Sequence, residues 1–156
     1  MPKYNSEVVI QARSEKVWPV LSDVVTWGDW LPTITHIQPL DQPGIAMGAR
    51  YEVHQPKLKP AVYAVKLIKS NSRFAWESRQ WGVHTWADHV IEPDGPGQVR
   101  VRLSVEIRGI LGSTLGHFAG ELTRSYLAQE CLALKNRVEN APSGKEKGDL
   151  PGATPS

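Results

Sequence analysis

The chain has 156 residues, enough for one domain with a real core, and its 40% apolar and 22% charged content is that of an ordinary globular protein. A formal net charge of +2, with Lys and Arg scattered, excludes a nucleic-acid surface of the usual basic kind. A single cysteine, Cys131, excludes an internal disulfide, and no apolar run reaches the roughly 18 residues of a spanning helix. The N-terminus lacks the basic and apolar regions of a signal peptide, so a cytoplasmic location is expected.

Asn5 to Ala12 reads as a strand, with Val8 and Ile10 on one face and Val9 on the other. Ser14 is a good N-cap for a helix carrying Val17, Trp18 and Leu21 on one side, which Pro19 keeps short. Thr26 starts a second short helix with Trp27, Trp30 and Leu31, and Pro32 ends it. Six strands follow. The first is Thr33 to Leu40, closed by the turn cluster Asp41-Gln-Pro-Gly44, and the second is Gly48 to His54. After the loop Gln55 to Pro60 comes Ala61 to Lys69, with Tyr63, Val65 and Leu67 on one side. Arg73 to Gln80 sets Phe74, Trp76 and Ser78 against Arg73, Glu77 and Arg79, and Trp81-Gly82 turns the chain into Val83 to Glu92. Pro93-Asp-Gly-Pro-Gly97 is the strongest turn signal. Val99 to Ile107 alternates Val99, Val101, Leu103, Val105 and Ile107 with Arg100, Arg102, Ser104 and Glu106, as one dry and one wet face require.

Gly112 to Asn140 reads as one long amphipathic helix. Leu111, Leu115, Phe118, Leu122 and Tyr126 recur at steps of three and four, and a second row of Leu127, Cys131, Leu134 and Val138 continues them. Arg124, Glu130, Lys135, Arg137 and Glu139 stay mostly off these rows. Such a helix needs cover for its apolar face, and the strands are the only candidate. Hairpin-length links make the six strands antiparallel neighbours. The expected architecture is α+β: a curved seven-stranded antiparallel sheet wrapped around the long C-terminal helix, with two short helices after strand 1. The domain spans 1–140, and 141–156, small, polar and rich in Pro and Gly, reads as a disordered tail.

The gap between sheet and helix is the natural place for a ligand. The strand alternations turn Tyr51, Val53, Tyr63, Val65, Phe74, Trp76, Ser78, Leu103 and Val105 inward, and Leu115, Phe118, Leu122 and Tyr126 face them from the helix. Bulky rings with a few hydroxyls suit a pocket wall as well as a plain core. In Val83-His-Thr-Trp-Ala-Asp-His89, a metal reading fails, because residues on a strand advance about 3.3 Å each. His84 and Asp88 are then roughly 13 Å apart, and His84 and His89 take opposite faces. Charged Asp88 belongs in water, which puts Val83, Thr85, Ala87, His89 and Ile91 inside and His84 and Trp86 outside. His89 is thus the titratable group expected to enter the gap, either as an acid or base or as a hydrogen-bonded structural residue. Ser104, Ser113 and Cys131 have no neighbouring base, and no phosphate loop occurs, so no cofactor and no metal is expected. Gly112, Gly116 and Gly120, four apart, line one side of the helix and permit close approach or leave room.

Three local patterns carry a resemblance. They are Ile10-Gln-Ala-Arg-Ser-Glu-Lys-Val-Trp18, Trp27-Gly-Asp-Trp30-Leu-Pro32, and His89-Val-Ile-Glu-Pro-Asp-Gly-Pro-Gly97. With the element order, they resemble the START-like, birch-pollen-allergen-like helix-grip superfamily (SRPBCC proteins), and in particular its polyketide cyclase/dehydrase branch, over residues 3 to 140. The resemblance implies an internal cavity and makes Trp30 a candidate for its wall or gate. It implies, as partner, a small hydrophobic molecule: a lipid, polyketide or aromatic compound. One alternative is a cyclase/aromatase-type enzyme that moves protons with His89, Tyr51, Tyr63 or Tyr126. Another is a protein-interaction module, for which Trp81 and Trp86, if outward, would supply an apolar patch.

Overall fold

The computed structural model describes residues 3–80, 82–109 and 116–140, with the backbone alone for 116–119. Strand β1 (Lys3–Ile10) leads into helix α1 (Ser14–Ser22), a 3-10 turn (Val24–Thr26) and helix α2 (Trp27–Trp30). Then come β2 (His36–Pro39), β3 (Arg50–His54), β4 (Ala61–Lys69), β5 (Arg73–Gln80), β6 (Val83–Pro93), β7 (Val99–Arg108) and helix α3 (Gly116–Glu139). The strands form one antiparallel sheet in the order β1-β7-β6-β5-β4-β3-β2, so the two ends of the strand sequence meet at β1 and β7. The expected segment 141–156 and the turn residue Trp81 lie outside the described residues.

Three local expectations need correction. Ser14 is the first helical residue and not the cap. Arg13 occupies the cap in extended backbone, with no side-chain cap bond, and its carbonyl takes the N–H groups of Lys16 and Val17. The strand expected from Thr33 begins only at His36, and Thr33 itself is buried. In β4 the alternation is interrupted by a bulge between Val65 and Leu67. Leu67 therefore pairs with Ala75, and Ile68, opposite Phe74, packs on the core in its place. A bulge adds one residue to one strand, so every side chain beyond it changes face.

The two apolar rows of α3 have different uses. Leu127, Cys131, Leu134 and Val138 are buried and belong to the core. The C-terminal turns are tied to β1 and the residue just after it: Lys135 Nζ donates to the Val9 carbonyl at 2.9 Å, and the Gln11 N–H donates to Glu139 at 2.7 Å. Higher up, Gly120 lets the helix approach β1. A Cβ there would stand 2.7 Å from the Tyr4 hydroxyl. The backbone of α3 packs chiefly on β1, β7 and α1, at one side of the sheet, leaving the concave face of the middle strands to be covered by side chains.

The tightest backbone approach is at the end of β7. Gly109 has φ +113, and a Cβ on it would lie 2.1 Å from the Gly82 carbonyl oxygen. Neither partner can yield, since both are backbone. Gly109→Ala is expected to cost roughly 2–3 kcal/mol of folding free energy, measured as a lower midpoint in urea with unchanged slope.

Candidate functional site

A cavity of about 210 Å³ lies between the sheet and α3. Its floor is β6 and β7: Thr85, Ala87 and His89 from the first, Leu103, Val105 and Ile107 from the second. The register sets these in one row, with His89 opposite Leu103, Ala87 opposite Val105 and Thr85 opposite Ile107. One side is Tyr63 of β4 and Trp76 of β5, and the other is Leu122, Tyr126, Leu127 and Glu130 of α3. Trp27 and Ile34 close the end near the short helices. Gln55 and exposed Leu58, in the loop after β3, stand beside Tyr126, whose hydroxyl donates to the Pro56 carbonyl.

Eight of the expected ligand-binding residues are therefore in the wall: Tyr63, Trp76, Thr85, His89, Leu103, Val105, Leu122 and Tyr126. Leu115 and the side chain of Phe118 lie outside the described residues. Four others stand elsewhere. Tyr51 and Phe74 are fully buried one layer below, covered by Trp76 (ring centroids 5.9 and 5.6 Å), and the His89 ring stacks on Phe74 at 4.1 Å. Tyr51 satisfies its hydroxyl on the Gly44 carbonyl at 2.9 Å. Ser78 is buried two residues beyond Trp76, because alternation fixes a side chain's face but not how far along the strand a cavity extends. Trp30 faces an outer groove with Val20, Pro32, Leu132 and Ala133, while its neighbour Trp27 is the tryptophan that reaches the interior. Four residues form less than two helical turns, and Trp27 and Trp30, three apart, cannot both be drawn from their spacing alone to the same wall.

The polar groups of the wall are few and held in place. His89 Nδ1 is 3.1 Å from the Phe74 carbonyl. A carbonyl can only accept, so Nδ1 carries the hydrogen and Nε2 is left as the acceptor. Burial lowers the His89 pKa to about 4, so the ring is neutral. Trp27 Nε1 donates to the Leu21 carbonyl at 3.1 Å. Burial, with the nearby Glu130 charge, pushes Tyr63 up to about 12 against a hydrogen bond with Thr85.

Glu130 is the cavity residue that sequence reasoning missed. The residue is half-buried, and burial pushes the pKa of its carboxyl up to about 7. Its single hydrogen bond among the described residues is from the Thr33 hydroxyl, at 2.9 Å on Oε2. The signal was present: Leu122, Tyr126 and Glu130 are spaced by four, so Glu130 continues the cavity row of the helix. Asp88 also borders the cavity, but its carboxylate holds Arg73 at 2.6 Å. Among the described residues no group of His, Cys, Asp and Glu could hold a metal ion. Of the two tryptophans considered for an outer patch, Trp86 is half-buried beside Glu77 and Glu106, and Trp81 lies outside the described residues.

A bent antiparallel sheet holding one long helix over a lined cavity defines a helix-grip protein. The sequence profile of the family described as polyketide cyclase / dehydrase and lipid transport matches residues 1–139, and the chain belongs to that family. Curated proteins give no match. Solved structures share the fold. A Helicobacter pylori protein superposes with a TM-score of 0.77 at 14% identity, covering 88% of each chain. The Zhui aromatase/cyclase of a Streptomyces species gives 0.73 at 13%, covering 88% of this chain and 93% of that one. A START superfamily protein of Mycobacterium smegmatis gives 0.67 at 23%, covering 89% and 98%.

His89 and Glu130 act oppositely on stability. Unfolded, His89 takes its proton near 6.5, but folded only near 4, so the unfolded chain binds more protons between these values. Stability falls as pH drops through that window, by roughly 3 kcal/mol in full. Folded Glu130 keeps its proton to about 7, against 4.5 when unfolded, so its contribution falls as pH rises from 4.5 to 7. Denaturant midpoints at pH 4.5, 6 and 8 are expected to show His89→Phe flattening the acid side. Glu130→Gln is expected to gain stability over the native chain at pH 8 and not at pH 4.5.

Proposed function

We propose that the protein binds a small hydrophobic molecule of one or two rings, or an acyl chain of similar bulk, in the cavity under α3. The observation that carries this reading is the cavity itself: about 210 Å³ walled by Trp27, Tyr63, Trp76, Leu103, Val105 and Leu122, with a few polar groups. An apolar void of about 150 Å³ admits benzene, and drug-sized pockets start near 300 Å³, so the volume suits one or two rings rather than a long polyketide. Membership of a family described by polyketide and lipid chemistry supports a hydrophobic ligand.

A proton-transfer reaction on that ligand is the second reading. The observation favouring it is Glu130, since a carboxyl with a pKa near 7 can give up and regain a proton at neutral pH. His89, neutral to about pH 4 and fixed on the Phe74 carbonyl, is the weaker base. Loss of turnover in Glu130→Gln with binding of neutral ligand retained would mark this reading.

Binding is tested by titrating the protein with 2-naphthol while following tryptophan emission, because Trp27 and Trp76 stand in the wall. Saturable quenching is expected. Ala87, at the centre of the floor, is the site to fill. Ala87→Phe is expected to weaken binding by about tenfold or more, some 1.4 kcal/mol, with the fold kept. Unchanged affinity in that variant would place the ligand elsewhere.

A further inference from the structure

Several donors of the cavity wall are already engaged by the protein. Trp27 Nε1–H is held by Leu21 at 3.1 Å, His89 Nδ1–H by Phe74 at 3.1 Å, and the Tyr126 hydroxyl by Pro56. At the mouth, Gln55 Nε2 donates to the Thr33 carbonyl at 3.3 Å. Acceptors remain. His89 Nε2 takes no hydrogen bond from a described residue, and neither does Glu130 Oε1. No buried side-chain nitrogen or oxygen among the described residues is sealed off without a partner, so both atoms are accessible, and both residues line the cavity. None of the ion pairs among the described residues includes Glu130, and the carboxylate of Asp88, which turns to the outer face of the sheet, is taken by Arg73. A carboxylate enclosed without a counter-charge is costly, and a ligand that brings one relieves that cost. The rings of Trp27, Tyr63 and Trp76 add faces that attract an organic cation.

We propose that the ligand of this cavity is an aromatic amine-bearing molecule whose ammonium group donates to Glu130 Oε1 while its ring lies among Trp27, Tyr63 and Trp76. The Thr33 hydroxyl, donating to Oε2, orients the carboxylate for this role. The inference rests on the hydrophobic-cavity reading and adds the chemical class of the ligand. The groups facing Glu130 do not compete with it. Tyr63 of β4, Tyr126 and Cys131 of its own helix all have raised pKa values, and His89 of β6 is neutral, so each is uncharged near neutral pH. Burial holds Glu130 itself near 7, so capture of an ammonium strengthens as pH rises through that value.

The test compares 2-phenylethylamine with propylbenzene, which has the same shape without the charge, by calorimetric titration at pH 6 and pH 8. The amine is expected to bind at least about tenfold tighter than propylbenzene at pH 8 and to lose up to about tenfold at pH 6. Propylbenzene affinity is expected to be the same at both. Glu130→Gln is expected to erase the preference and leave propylbenzene binding intact. The pH profile of the native protein stands independently of that variant's folding. Propylbenzene bound without preference for the amine, or a preference that survives Glu130→Gln, overturns the assignment while the apolar cavity stands. Binding of neither compound overturns both.

Discussion

The off-centre seat of α3 decides the rest of the structure. Its second row, Leu127 to Val138, is locked onto the core, and Lys135 and Glu139 hold its end to the β1 side. With the helix backbone close to β1, β7 and α1, the middle of a bent sheet is left at a distance that only side chains can bridge. The C-terminal half of the helix is solid packing, and the half above it roofs a space. Gly120 against Tyr4 and Arg124 over the Tyr4 ring at 5.0 Å fix how close that upper half comes to β1.

Large rings do the bridging. Trp76 lies within 6.0 Å, ring centre to ring centre, of Trp27, Tyr51, Tyr63, Phe74 and His89. Edge-on and tilted contacts of this kind favour specific orientations and so make a rigid wall rather than a yielding one. The cluster has two layers. Tyr51 and Phe74 are the foundation, and Trp27, Tyr63, Trp76 and His89 face the space. On the outer face of the sheet the charges pair among themselves, with Arg73 on Asp88, Arg102 on Glu92 and His84 on Glu77. None of the ion pairs among the described residues brings a cation to Glu130.

Much of the site was legible. Period-two alternation put Thr85, Ala87 and His89 on one face of β6 and Leu103 and Val105 on that of β7, because a side chain's face on a regular strand is a local property. Alternation could not tell which inward residues border open space. Tyr51, Phe74 and Ser78 share the inner face with Trp76 and stop short of the cavity, since depth depends on what packs above them. The two apolar rows expected of the helix leave Glu130 out, although its spacing of four from Tyr126 continues the row of Leu122 and Tyr126. Trp27, and not the expected Trp30, lines the cavity: in a four-residue helix the neighbours, and not the period, choose the buried ring.

Residue order alone determined the element succession, the antiparallel sheet and the family, since each follows from periodicity, turn chemistry and short motifs read over a few neighbours. Tertiary structure decided the position of the helix over the sheet, the break in β4 alternation and the seating of Glu130 in the cavity wall. These depend on distances between segments far apart in the chain, such as Thr33 and Glu130, which meet at 2.9 Å across 97 positions.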